Sequence, residues 1–334
     1  MKSLMLKAKV TSLTRFGTSL LGLMILAIAS APGVISPTAD AALNSAVTVD
    51  EGGSIGTFTT IDVPGATATL AVDINAEGFI VGRYAMAGQT HGFLLTPGGE
   101  FMTIDFPGAS LTVAAGINGL GDIVGFYALP SAPTQRHGFL LKDGVFSSFD
   151  PPGSTFTNAL GINERGDIVG RYCTLSTCRA PGNGDFRAFV LRDGEYTTLE
   201  APGAIETDAF KINGSGKIAG GLVTAGGAEE VALWRKNTLL TMALPNGRPL
   251  SMDNGGVNER GDIVGLYCDT PAPCLIVPTG THGFLISGDE FQTIDVPGAV
   301  ATAALGINAR GDIVGSYFDS ARRIHGFLLI RSQN

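Results

Sequence analysis

A twelve-residue motif returns six times along the chain, and its regular return limits the possible folds more than any other feature. The sharpest copies are GINERGDIVGRY (161–172), GVNERGDIVGLY (256–267) and GINARGDIVGSY (306–317). DINAEGFIVGRY (73–84), GINGLGDIVGFY (116–127) and KINGSGKIAGGL (211–222) align with them. The motif's asparagines are Asn75, Asn118, Asn163, Asn213, Asn258 and Asn308, at steps of 43, 45, 50, 45 and 50 residues. A repeat of that length is one supersecondary unit that must bury its faces against its neighbours. A second motif, HGFLL followed by a turn and then FTTIDxPGA, fills much of the remaining period at 91–109, 137–154 and 282–299. The repeat region opens with an orphan FTTIDVPGA (58–66) and closes on HGFLLIRSQN (325–334), which lacks that continuation. The first piece therefore completes the last unit, and the array closes into a ring.

Each unit reads as four short strands. The first ends at Ile-Asn, and Asn-x-x-Gly makes a tight turn whose glycine (Gly78, Gly121, Gly166, Gly216, Gly261, Gly311) takes a positive φ. The β-branched Ile-Val-Gly-x-Tyr stretch is the second strand, HGFLL the third and FTTID the fourth, after which Pro-Gly-Ala breaks pairing. The high glycine content, 47 of 334 residues without a three-residue period, fits a chain of tight turns. Six four-stranded antiparallel units with offset closure predict an all-β, six-bladed β-propeller over residues 57–334, preceded by a short linker at 42–56. A solenoid is the alternative, but it calls for capping repeats that are not evident.

The motifs GINxxGxIVGxY, HGFLL and FTTIDxPGA resemble those of the HAF repeat family of extracellular bacterial repeat proteins, and the resemblance spans 57–334. It implies an exported repeat protein and carries over no catalytic residues. Unit four departs most: Lys217 stands where Asp recurs, Leu222 where Tyr recurs, and VALWRKN (231–237) replaces HGFLLxxG.

The amino terminus points to the same compartment. Lys2, Lys7, Lys9 and Arg15 precede an apolar run, 16–28, and small residues follow, the layout of a signal peptide over 1–41. Cleavage after Ala41 is expected, with Ala31 the competing site. An uncleaved anchor is the other reading, but a helix of about 13 residues reaches roughly 20 Å across a core of about 30 Å. The mature protein is expected to be secreted or periplasmic, without membrane insertion after cleavage. Export permits disulfides, and the local pairs Cys173–Cys178 and Cys268–Cys274 are expected; a zinc site from the four thiols is the alternative, at spacings unlike a zinc knuckle. The net charge of −8, with no basic cluster after residue 41, argues against nucleic acid.

Several constellations bear on chemistry. Three units carry Arg-Gly-Asp (Arg165 to Asp167, Arg260 to Asp262, Arg310 to Asp312), but the glycine belongs to the repeat turn and the aspartate is expected to bond turn amides. All four histidines, His91, His137, His282 and His325, share one repeat position in contiguous units five, six, one and two. A repeated structural hydrogen bond to backbone is expected there, with a channel-lining metal site as the sharper alternative. Asp105, Asp150 and Asp295 read as strand-end caps. Asp73 starts a segment like a calcium loop without its distal acid, and 214–217 mimics a phosphate loop within the unit-four turn. No histidine outside the repeat is present to act as a general base. No catalytic residue, metal or cofactor is assigned. The sequence thus predicts a monomeric, non-enzymatic binding or structural module. Its contact surface would be the variable loops 172–186 and 267–281, and its partner an extracellular protein or glycan. The alternative is an extracellular polysaccharide hydrolase or lyase with carboxylates gathered near the channel.

Overall fold

The computed structural model describes residues 55–176, 178, 184–236, 238–242, 244, 255–268 and 280–332, together with the backbone of 35–37 and 46–47. Two short strands, β1 (Ile35–Pro37) and β2 (Ala46–Val47), come before β3 (Gly56–Ile61). Blade 1 is β4 (Ala68–Ile74), β5 (Ile80–Met86), β6 (Gln89–Leu95) and β7 (Phe101–Ile104); blade 2 is β8 (Leu111–Ile117), β9 (Ile123–Ala128), β10 (His137–Lys142) and β11 (Val145–Phe149). Blade 3 is β12 (Phe156–Ile162), β13 (Ile168–Cys173), β14 (Arg187–Arg192) and β15 (Glu195–Leu199); blade 4 is β16 (Ala204–Ile212), β17 (Lys217–Thr224), β18 (Glu229–Arg235) and β19 (Thr238–Met242). Blade 5 is β20 (Gly256–Val257), β21 (Ile263–Cys268), β22 (Thr281–Ser287) and β23 (Glu290–Ile294). Blade 6 is β24 (Ala301–Ile307), β25 (Ile313–Phe318) and β26 (Ile324–Arg331), completed by β3.

Pairing within each blade is antiparallel and sequential. The orphan piece docks as expected: β3 pairs with β26 from Gly326↔Ile61 to Arg331↔Gly56, so the first strand of the repeat region closes the last blade. The outer edges of blades 1 and 6 gain β1 on β7 and β2 on β3. Apart from β1, β2 and residues 55–56, of which Gly56 opens β3, the expected signal peptide and linker lie outside the described residues, and cleavage after Ala41 would remove β1 while keeping β2.

The core is divided among the seams between blades. One cluster joins Val81 and Ile104 of blade 1 to Ile123 and Phe139 of blade 2, and others join blades 6 and 1, 5 and 6, 4 and 5, 3 and 4, and 2 and 3. A further cluster, Val72, Val113, Ala115, Leu160 and Phe210 among them, lies around the axis. Unit four keeps this packing despite its sequence. Ala232 pairs at the place where Phe93 pairs in blade 1, and the buried indole of Trp234 reaches Gly220 as Phe93 reaches Gly82.

Candidate functional site at the central cavity

The innermost strands of the blades run along the axis from a cavity at one end to the Asn-x-x-Gly turns at the other. In β4, β8, β12, β16 and β24 a register shift falls at one equivalent place, for instance between Ala71 and Asp73. A bulge re-aims the residues beside it. The extra residue, Val72, Ala115, Leu160 or Leu305, lines the cavity, and the next residue comes to the asparagine end.

At that end the six repeat asparagines form a closed chain. Asn75 Nδ2 donates to Asn118 O (3.1 Å), Asn118 to Asn163 O (3.1 Å), Asn163 to Asn213 O (3.3 Å), Asn213 to Asn258 O (3.0 Å), Asn258 to Asn308 O (3.2 Å) and Asn308 back to Asn75 O (3.3 Å). Each Oδ1 accepts amides of its own turn, as Asn163 does from Arg165 and Asp167, both at 3.0 Å. Buried amide groups need such partners. One side chain therefore shapes the turn and ties its blade to the next. The turn glycines take the expected φ, +81° at Gly166.

The residue two before each asparagine is glycine in four units because the strands converge there. A Cβ on Gly161 would lie 2.8 Å from Phe210 O and 2.9 Å from Lys211 Cα. The two exceptions are Asp73 in blade 1 and Lys211 in blade 4, half a ring apart, and they meet: Lys211 Nζ lies 3.1 Å from Asp73 Oδ2. The ammonium also donates to the carbonyls of Ala115 and Leu160, and the carboxylate accepts the Ile117 amide at 3.1 Å. Burial pushes the Lys211 pKa down, against the pull of Asp73. The pair spans the axis between the cavity and the asparagine ring, so Asp73 serves an ion pair rather than a calcium loop.

The cavity at the opposite end has a volume of about 340 Å³. Its apolar wall comes from the axial strands, including Val72, Val113, Leu160 and Leu305. Its polar groups are Arg83, Arg136, Arg171, Asn158, Thr281, Thr302 and Ser316. Arg83, Arg171, Ser316, Phe126 and Leu266 all occupy the x of IVGxY. The variable place within the strand segment IVGxY thus faces the cavity. Among the described lining residues there is no carboxylate and no imidazole. Arg171 is buried and pairs with the fully buried Asp208 at 3.6 Å, and its guanidinium lies 5.2 Å from the Phe186 ring. Arg136, from the loop between β9 and β10, is 4.9 Å from both the Phe126 and Phe156 rings. Asn158 is 1% exposed, and its Oδ1 has no hydrogen-bond partner among the described residues.

The other sequence-derived residues fall outside this cavity. Each histidine pairs with a carboxylate of its own blade instead of the backbone expected: His91 Nδ1 with Asp105 (2.9 Å), His137 with Asp150 (2.7 Å), His282 with Asp295 (3.0 Å) and His325 with Asp62 (2.9 Å). Each also packs on the IVGxY tyrosine, with ring centroids 5.1 Å apart for Tyr84 and His91. That tyrosine hydroxyl bonds the fourth strand, as Tyr84 does Thr103 at 2.9 Å. The FTTID aspartates are thus histidine partners rather than strand-end caps. Among the described residues no three His, Cys, Asp or Glu side chains gather to hold a metal.

The Arg-Gly-Asp tripeptides are clamps between blades. In the first, Arg165 Nε and Asn163 Nδ2 donate to Asp167 Oδ2 (3.2 and 3.0 Å), and Arg165 Nη1 reaches Gly214 O in the next blade. The carboxylate bonds side chains, where turn amides were expected; those amides go to asparagine. Burial alone would raise the Asp167 pKa, but hydrogen bonds from Arg192, Asn163 and Arg165 outweigh it and hold the group at about 2. The Cys173–Cys178 disulfide is formed, and Cys268 is disulfide-bonded as well; Cys274, its expected partner, lies outside the described residues. So do 177, 179–183 and 269–279 of the two variable loops.

Six four-stranded blades, closed by strand exchange between the ends, make the chain a six-bladed β-propeller. No family model and no curated protein matches it. Among solved structures it is similar to a mutant Aleuria aurantia lectin in complex with Fucalpha1-6GlcNAc, 11% identical over 80% of this chain and 93% of that one, with a TM-score of 0.51. It is also similar to AofleA from Arthrobotrys oligospora, 14% identical over 84% and 88%, with a TM-score of 0.50. Virginiamycin B lyase from Staphylococcus aureus aligns over 82% and 99% at 12% identity, but its TM-score of 0.42 is too low to bear on function. At these identities the likeness to the Aleuria lectin and to AofleA is one of fold.

Proposed function

We propose that this propeller is an exported, non-catalytic binding module whose ligand enters the central cavity. One observation carries the reading: the IVGxY place at which the blades differ lines the cavity, while the asparagine found in all six blades builds the ring. Arg83, Phe126, Arg171, Leu266 and Ser316 stand at one repeat place, and no packing rule requires them to differ. A concave site with an apolar wall and a few placed polar groups is the general form of a small-molecule pocket, and about 340 Å³ lies at the lower end of the usual size. The Asp73–Lys211 pair supports a blind pocket over an open channel. Glycans are the first class to test, because the Aleuria lectin carries one on the same fold. The export signal and HAF repeat membership rest on the sequence features alone.

The test is the thermal midpoint of the purified protein against a panel of neutral and acidic glycans, since a ligand that prefers the native state raises it. A saturable rise that disappears in Ala303→Trp, which fills the cavity, is expected. Rises that survive Ala303→Trp would move the binding site elsewhere.

A further inference from the structure

We infer that the cavity takes a neutral deoxy sugar, a ring with an apolar edge and few hydroxyls, rather than a charged or a fully hydroxylated one. This rests on the reading of the cavity as the binding site and adds the polarity of its ligand. The charged groups of the wall are already engaged inside the protein. Arg171 pairs with the buried Asp208 and lies against Phe186, Arg136 lies between Phe126 and Phe156, and Arg83 also has a partner within the chain. A ligand charge would leave water for a wall without a free counter-charge, and that is costly. The threonines are engaged as well: Thr302 Oγ1 accepts the Val296 amide at 3.1 Å, and Thr281 Oγ1 lies 3.8 Å from Cys268 Sγ.

Two polar side chains of the wall remain, Asn158 and Ser316. Both are buried, and neither makes a side-chain hydrogen bond among the described residues. They stand in blades 3 and 6, half a ring apart, and Leu70, Val72 and Val113 of blades 1 and 2 line the wall between them. Buried polar groups are satisfied by a ligand that brings hydrogen-bonding groups to them, and a hydroxyl both donates and accepts. A hydrocarbon without hydroxyls would leave Asn158 and Ser316 unsatisfied. A fully hydroxylated ring would turn hydroxyls toward the aliphatic wall as well, where they lose water and gain no partner. A deoxy ring places a methyl or methylene group there instead.

Two matched pairs, titrated calorimetrically into the purified protein, test this: 6-deoxy-D-glucose against D-glucose, and L-rhamnose against L-mannose. The members of each pair differ only in the 6-hydroxyl. In at least one pair the deoxy sugar is expected to bind at least about tenfold more tightly, the scale of one buried hydroxyl left unpaired. Ser316→Ala and Asn158→Leu are each expected to remove about tenfold of that affinity. Leu70 stands opposite Arg83 in blade 1 as Asn158 stands opposite Arg171 in blade 3, so Asn158→Leu is expected to fold, with a thermal midpoint no lower than the parent's as the check. Equal or tighter binding of the hydroxylated sugars, lost in Ala303→Trp, would overturn the deoxy-sugar inference and leave the cavity as the site. Deoxy-sugar affinity untouched in both Ser316→Ala and Asn158→Leu would overturn the inference too. Binding that survives Ala303→Trp would overturn the reading of the cavity itself. Failure of all four sugars to bind would overturn the inference, and the glycan panel would then decide by itself whether the cavity binds at all.

Discussion

The two ends of the propeller axis differ as a joint differs from a socket. At the asparagine end six copies of one side chain make six copies of one contact, and the Arg-Gly-Asp turns reinforce it. At the cavity end the place shared by the blades holds arginine, phenylalanine, leucine or serine. Closure requires that every seam match its neighbours, so one residue type is repeated. Recognition requires asymmetry, so the repeat is broken. Asp73 and Lys211 stand between the two regimes: they break the repeat, yet their pairing across the axis serves the ring.

If the joint is what holds the ring, damage there should cost far more stability than damage to the socket. Gly161→Val places a branched side chain against Phe210 O and the Lys211 backbone, and is expected to cost more than about 4 kcal/mol, read as loss of a cooperative unfolding transition. Lys211→Met leaves Asp73 buried without its cation and is expected to cost about 3–5 kcal/mol in chemical denaturation. The double variant Asp73→Gly with Lys211→Gly restores the residue of the other four units and should cost much less than the two single changes added together. Additive losses would show that the pair is not coupled. Asn163→Ala removes a bond to blade 4 and the acceptor of two turn amides, with an expected loss of about 2–3 kcal/mol in the same assay.

The smaller effects sharpen the contrast. Asp167 has its pKa lowered from 3.8 to about 2, so its contribution is complete above the unfolded value and is lost as pH falls through the folded one. Because Arg165 and Arg192 are half exposed, solvent screening limits this to about 1 kcal/mol. Denaturation midpoints of the parent should therefore drop between pH 4 and pH 2 more steeply than those of Asp167→Asn. Arg83→Leu, at the socket, should stay within about 0.5 kcal/mol of the parent. A large loss there would erase the distinction between the two ends.

Much of this architecture is readable from residues. The orphan FTTIDVPGA at 58–66 foretells the pairing of β3 with β26, and the Asn-x-x-Gly spacing foretells the turns. The partners of the polar repeat residues are harder to read. His91 and Asp105 recur together in the sequence, yet only the register of β6 on β7 brings them into contact. The socket left a visible but unread trace, the changing x of IVGxY: alternation puts that side chain on a face of β5 or β13, but blade orientation decides that the face looks onto the axis. Asp73 and Lys211 were also visible as departures from glycine. Their meeting depends on blades 1 and 4 standing opposite one another.

The sequence by itself determined the repeat, the number of blades, the strand order and the way the ring closes, because these follow from local periodicity and turn chemistry. The tertiary structure decided which side chains meet across blades and which line the cavity. Those contacts join residues 43 to 234 positions apart, and only the closed ring brings them within a few ångströms.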